Sequence, residues 1–396
     1  MIVMNTRTGV PHRGEGYVST EGRPRRDALT GSSSFLEPFM KPQNKDRIGI
    51  LLFNLGGPET LDEVRPFLYN IFVDPDIIRL PWRALQKPLA WLISTQRHKK
   101  SRGYYEQIGG GSPLRRITEE QARALEQALS ARNIKARAYV GMRYWNPFIE
   151  EALEQINRDQ VDHLVVLPLY PQFSVSTTGS SLNRMYAITE ATGHHLPPTS
   201  VICSYEADPN YIEAMAAAAS EELARFPDQD PSQTHILFSA HSVPVKYIED
   251  GDPYLDHTKR TVELMMARLG THRPYTLSFQ SKVGPVEWLT PATNLTIPRL
   301  AREGVSQLML VPVSFVSEHS ETLYEMDILY RSVAAEAGIP HFRRVPTMNC
   351  RPHFIEALAT LVERALAENE SRSNCIRCPV TTNAAAAACA CDRVRG

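Results

Sequence analysis

The chain has 396 residues, 42% hydrophobic and 22% charged, with a formal net charge of -1 and no long run of one sign. That length accommodates two ordinary domains. The even charge excludes the concentrated basic face of a nucleic-acid binder, and no apolar run approaches the ~20 residues that span a bilayer. Residues 1–46 are polar and rich in Arg, Gly, Ser and Pro, without an apolar h-region, so a disordered leader is expected rather than a secretory signal. Order is expected from Arg47, where IGILLFNLGGP reads as a buried parallel strand ending in a Gly-rich turn. Periodicity then predicts helices over 59–73, 82–98 and 114–132. Strands and helices alternate after that: AYVGMRY and a helix from Pro147, HLVVLPLY and a helix from Ser176, SVICSY and a helix from Pro209. The pattern resumes with HILFSAHSVP and a helix over 255–269, YTLSFQSK and a helix from Trp288, then QLMLVPVSF and a helix from Ser320. An amphipathic helix over 351–368 is expected to pack back on the core, ahead of a cysteine-containing tail over 369–396.

Strands alternating with helices imply right-handed βαβ units and parallel sheets. The halves read as diverged copies. HLVVLPLYPQFSVSTTGSSLN and QLMLVPVSFVSEHSETLYEMD share an apolar strand, a proline near its end and a Ser/Thr-rich turn into a helix; GMRYWNP pairs similarly with SFQSKVGP, and NLGGP with SAHSVP. The expected fold is α/β: two similar Rossmann-like, doubly wound parallel-sheet domains over 47–195 and 196–350. Ligands of such sheets bind at the carboxyl ends of the strands, in a cleft between the domains.

Chemistry-bearing residues gather at two of those strand ends. His241 in SAHSVP can accept a proton or ligate a metal near neutral pH, or be a hydrogen-bonded turn histidine. His319 and Glu321 in SEHSETL sit at another strand end, with Glu325 one helical turn on and Asp327 close by. A helix N-terminus capped by Ser320 explains Glu321 alone but not its histidine neighbour. The spacing fits no closed zinc site, so two imidazoles and a carboxylate row suit a transient divalent metal or proton removal. GGGSP (109–113) and TTGSS (177–181) are either anion-holding turns or capped turns, and neither completes a phosphate-loop fingerprint. Within 72–100, apolar residues of 77–93 interleave with Arg and Lys. That pattern fits a core-facing amphipathic helix, or an apolar lip over a flat hydrophobic ligand that touches a membrane surface. Of six cysteines, four fall in the tail as Cys375, Cys378, Cys389 and Cys391, where they could ligate zinc or an iron–sulfur cluster or lie in a loose tail. Nothing suggests a disulfide framework, and a reducing, cytoplasmic compartment is the expectation.

Taken in order, NLGGP, YYEQIGGGSPLRRIT, GMRYWNP, LPLYPQFSVSTTGSSLN, SAHSVP, QSKVGPVEWL and PVSFVSEHSETLYEMD resemble the ferrochelatases, most of all their bacterial and cyanobacterial branch. The resemblance covers roughly 47–368. It implies a lyase that inserts Fe²⁺ into protoporphyrin IX to give protohaem and two protons, with coproporphyrin III or another tetrapyrrole as the alternative. By motif match, His241 and Glu321 would be the catalytic and metal-facing pair, His319 their support, and Glu325 and Asp327 an acidic path. Tyr105, Ser112, Arg143, Tyr144, Ser281 and Trp288 would contact the porphyrin. The partners implied are a porphyrin and ferrous iron, with peripheral membrane contact through 77–93. Two departures stand out. Leu329 replaces an acidic residue in the row of many members. Where some members take a cysteine ligand for a [2Fe-2S] cluster from the turn, this chain has Val175, so a cluster would need Cys375, Cys378, Cys389 and Cys391 together.

Overall fold

The computed structural model describes residues 47–369, apart from 79, 81, 194, 271, 283 and 285. The first half runs β1 (Ile48–Asn54), α1 (Val64–Phe72), α2 (Gln86–Gln107), α3 (Leu114–Ala131), β2 (Ala136–Met142), α4 (Ile149–Arg158), β3 (His163–Pro168), α5 (Ser180–Thr192) and β4 (Thr199–Val201). The second runs α6 (Pro209–Leu223), β5 (Thr234–His241), α7 (Val245–Glu249), α8 (Tyr254–Leu269), β6 (Tyr275–Gln280), α9 (Thr293–Arg302), β7 (Gln307–Pro312), α10 (Tyr330–Glu336), β8 (His341–Arg344) and α11 (Pro352–Asn369). The sheets have matching orders, β2-β1-β3-β4 and β6-β5-β7-β8, and every described pairing is parallel. The duplication expected from the motifs is therefore present in the topology.

Unbroken apolar strands mean cover on both faces, and the alternation shows what covers each. In β1, Leu51 and Phe53 pack with Ile149 and Leu153 of α4 and Met185 of α5. Ile50 and Leu52 face the other way, into a cluster with Leu125 and Leu129 of α3, Met215 of α6 and Phe354 and Leu358 of α11. That same cluster holds Ile236 and Phe238 of β5 and Met309 and Val311 of β7. One continuous core thus joins the inner faces of both sheets, with Phe354 and Leu358 of α11 packed into it. Membership of β4 corrects the expected boundary at 195/196. Residues 199–201 pair with β3, so the first sheet extends past 195. Sequence shows that SVICSY is a strand, whereas only the free edge of β3 decides which sheet it joins.

Local differences have local causes. The helices expected from Ser176 and Ser320 begin instead as π-helices, Val175–Gly179 and Glu321–Leu329. The helix expected over 82–98 starts at Gln86 and continues to Gln107, and the one expected from Trp288 starts at Thr293. The two glycine-rich turns lock onto each other. A Cβ on Gly111 would sit 2.1 Å from the Glu59 carbonyl oxygen, and one on Gly57 would sit 2.6 Å from Ser112 Oγ. The Ser112 N–H also donates to the Pro58 carbonyl at 2.7 Å. GGGSP is accordingly a close-packed capped turn, and it places Ser112 at the start of α3.

Candidate active site

Three neighbouring strand ends converge in the second half. His241 ends β5, opposite Gln280 at the end of β6, and β7 leads through a loop into the π-helix carrying Glu321 and Glu325. His241 Nδ1 lies 2.8 Å from Glu321 Oε2. A carboxylate can only accept, so Nδ1 carries the hydrogen and the lone pair resides on Nε2. The Tyr254 hydroxyl fixes the backbone here by donating to the His241 carbonyl at 2.8 Å, and the imidazole packs edge-to-face with Phe315. With 39% of its side chain exposed, His241 is the reachable member of the group.

Ser281 joins the two carboxylates. Its Oγ is 2.7 Å from Glu325 Oε2 and 3.1 Å from Glu321 Oε2, and Gln280 Nε2 donates to Glu325 Oε2 at 3.1 Å. Ser281 holds φ at +65°, a conformation costing a non-glycine residue on the order of 1–3 kcal/mol. The contacts to both carboxylates are what that backbone position secures. A serine has one proton to give, so the four groups form a chain in which each hydrogen bond has one direction: Glu325, Ser281, Glu321, His241.

Electrostatics sort these groups. Burial disfavours the His241 imidazolium, but the neighbouring charges of Glu321 and Glu325 outweigh it and raise its pKa above the usual 6.5. Burial likewise opposes ionisation of Glu321, yet His241 and the Ser281 hydroxyl hold it below the usual carboxylate range. Glu325 is pushed up to about 7, first by burial and then by the charge of Glu321. Two carboxylates sharing one hydroxyl are thus driven apart, one ionised and one able to carry a proton near neutrality.

The other expected residues fall in different places. His319 is buried, its pKa lowered chiefly by desolvation, with Nδ1 donating to the Ser317 carbonyl and its ring tilted against Phe315 at 4.7 Å. It braces the loop behind His241 and has no hydrogen bond to the pair. Asp327 lies outside the chain of four, held by Arg344, and Leu329 is exposed beyond it. The acidic path expected through Asp327 is therefore not continuous, since an ion pair occupies that carboxylate.

In the first half, Arg143 and Tyr144 turn inward. Arg143 Nη2, the Tyr144 hydroxyl and the Ser180 hydroxyl all reach Asp74 Oδ2, at 2.7, 2.7 and 2.6 Å. Tyr144 is only 1% exposed. Swinging these groups towards a ligand would strand a buried carboxylate, at roughly 3–5 kcal/mol, so they serve here to pin the root of the 72–100 segment. Tyr105 is buried, its hydroxyl pushed up to about 12 by desolvation, and accepts from Ser320 Oγ at 3.4 Å. Ser112 lines a separate recess of about 560 Å³ of mixed character, with Glu59, Arg116, Glu318, Ile117 and Leu323 among its walls, which neither His241 nor Glu321 borders. Trp288 bridges Pro244, just beyond His241, and its buried indole N–H has no acceptor among the described residues. Gln280, Tyr254 and Phe315 escape sequence reasoning because a polar residue at a strand end and aromatics at a helix start or in a loop carry no distinguishing pattern. The tail cysteines Cys375, Cys378, Cys389 and Cys391 lie outside the described residues.

With this geometry in view, comparisons with known proteins place the chain. Residues 47–366 match the family model described as ferrochelatase. A ferrochelatase from Synechococcus elongatus is 53% identical over 328 residues, spanning 82% of this chain and 84% of that one. One from Thermosynechococcus vestitus is 54% identical over 325 residues, spanning 81% and 82%. Among solved structures, Bacillus subtilis SirB with Fe³⁺ covers 82% of this chain and 98% of its own at a TM-score of 0.50 and 12% identity, a likeness of fold alone. Two matched four-stranded parallel sheets, one core and a family match over residues 47–366 lead to one conclusion: the chain belongs to the ferrochelatase family, metal chelatases of the lyase class.

Proposed function

We propose that the chain inserts Fe²⁺ into protoporphyrin IX, with His241 and Glu321 at the face where the pyrrole protons leave. The observation that carries this reading is the chain His241–Glu321–Ser281–Glu325. Metallation replaces two N–H protons by one Fe²⁺, so two protons must find acceptors while the ring nitrogens expose their lone pairs. His241 Nε2, the exposed lone pair, takes the first proton. The resulting imidazolium is stabilised by Glu321, which stays ionised. The second proton is taken at Glu321 and handed on through the Ser281 hydroxyl to Glu325, whose pKa of about 7 lets it hold and release a proton at neutral pH, so that Glu321 is left ionised beside the imidazolium. Iron enters as substrate, and His241 with Glu321 offers it one nitrogen and one carboxylate on the way in. The buried indole N–H of Trp288, without an acceptor among the described residues, suits a polar group of the bound macrocycle.

Protoporphyrin is favoured over coproporphyrin by the apolar surface of the lip. Trp82, Leu85, Trp91 and Leu92 are 70%, 51%, 55% and 46% exposed, which suits a macrocycle with fewer carboxylates. In an anaerobic assay with Fe²⁺ and each porphyrin in turn, turnover is expected to be faster with protoporphyrin. The reverse order would overturn the substrate assignment.

The same surface, flanked by exposed Arg83 and Lys87, supports peripheral contact of a cytoplasmic enzyme with an anionic membrane. No described helix is long and apolar enough to cross one. Co-sedimentation with vesicles containing anionic lipid is expected, and to weaken on Trp82→Ser with Trp91→Ser. Equal recovery of that double variant would count against the contact. Val175 supplies no thiolate from its turn, only a backbone N–H donated to Asp252, so a [2Fe-2S] cluster would rest on Cys375, Cys378, Cys389 and Cys391 together.

A further inference from the structure

A nine-residue π-helix is an unusual thing for a chain to hold, since such windings are ordinarily single turns inside α-helices. Arg344, the last residue of β8, sits against it with only 8% of its side chain exposed. Its Nε and Nη2 form a two-pronged contact with Asp327, at 2.8 and 2.5 Å. The remaining nitrogen, Nη1, reaches Glu318 Oε1 at 2.7 Å. One guanidinium thus holds a carboxylate just before Glu321 and another just after Glu325. The near end is fixed further. Glu318 Oε1 accepts from the Thr347 N–H at 3.1 Å, and its Oε2 from the Thr322 hydroxyl at 2.5 Å. Strand β8 is itself registered on β7, Leu310 opposite Arg344, so the bracket is anchored in the sheet.

We propose that Arg344 is a positioning residue for metal insertion: by bracketing Glu318 and Asp327 it fixes the π-winding that aims Glu321 and Glu325 at His241 and Ser281. The geometry makes the link. An α-helix turns 100° per residue and a π-helix roughly 80°, so over the six residues from Glu321 to Asp327 the two windings differ by roughly 120° about the axis. With Asp327 tied to β8, relaxation to α-winding would turn Glu321 away from His241. With Asp327 released, the far end of the winding loses its tie to β8. A forked donor suits the task because it specifies direction as well as charge, which a lysine does not.

The inference rests on Glu321 being a proton acceptor, and the test separates the two claims. Asp327→Ala, Arg344→Lys, Glu321→Gln and the double variant Asp327→Ala with Glu321→Gln are compared by anaerobic kinetics with Fe²⁺ and protoporphyrin, scaled to the folded fraction from circular dichroism. Asp327→Ala and Arg344→Lys are expected to lower kcat at least tenfold with KM for porphyrin changed less than twofold. Asp327→Glu, which keeps a carboxylate for the fork, is expected to recover part of that loss. In the Glu321→Gln background, Asp327→Ala is expected to cost little more, because it acts through the same carboxylate. Wild-type kcat in folded Asp327→Ala and Arg344→Lys, with Glu321→Gln impaired, would overturn the bracket alone. Full activity of Glu321→Gln would overturn the acceptor reading beneath it. Additive losses in the double variant would make Asp327 an independent participant and also overturn the proposal.

Discussion

His241→Ala is expected to lower the rate of Fe²⁺ insertion by about 10²–10⁴-fold at neutral pH, the usual worth of a positioned general base, while porphyrin affinity changes by less than about threefold. The separation follows from where the residue sits. His241 presents one exposed imidazole edge, whereas the neighbouring surface comes from other residues: Phe315 beside the ring and Trp288 bridged to Pro244. Removing one ring from such a surface loses little binding area. It does remove the nitrogen that takes the first proton, and it leaves Glu321 without the cation that holds it ionised. Stopped-flow metallation and quenching of intrinsic fluorescence by porphyrin measure the two quantities independently. Undiminished insertion by this variant would sink the assignment of the site.

Glu321→Gln should change the pH profile as well as the rate. In the parent protein His241 has a raised pKa and Glu325 one of about 7, and each is useful as an acceptor only once it has lost its proton. Insertion should therefore rise as pH increases through the neutral range and level off above it. The Glu321 charge contributes to raising both values, so neutral glutamine lets both fall. The inflection is expected to move to lower pH, and the plateau to drop by 10-fold or more because the imidazolium loses its stabilising partner. Profiles of kcat/KM recorded anaerobically from pH 5.5 to 9 read both effects. A fall in rate with an unmoved inflection would mean that Glu321 does not set the basicity of the pair.

Much of the scaffold is legible in the residues. Uninterrupted runs such as ILLFN and HLVVLP can only be strands covered on both faces, and a proline near the end of each central strand marks where chain returns to the binding edge. Matching motifs in the two halves reflect matching sheet orders. The pairing of His241 with Glu321 is also readable, as chemistry at two neighbouring strand ends. The winding between them is less so. Periodicity cannot tell a π-helix from an α-helix, because residues four apart share a face in either, and so Asp327 looks from sequence like a third member of the Glu321–Glu325 row.

By itself, then, the sequence determined the α/β class, the duplication, the strand ends at which His241, Glu321 and Glu325 lie, and the family. These depend on hydrophobic patterning and local motifs, which are written along the chain. Tertiary structure alone decided that β4 joins the first sheet and that Arg143 and Tyr144 close on Asp74. It also decided that Ser281 links the carboxylates and that Asp327 serves Arg344. Each of those depends on which of several available partners a polar group meets. Partners far apart in sequence are chosen only when the sheets are registered and the shared core has closed.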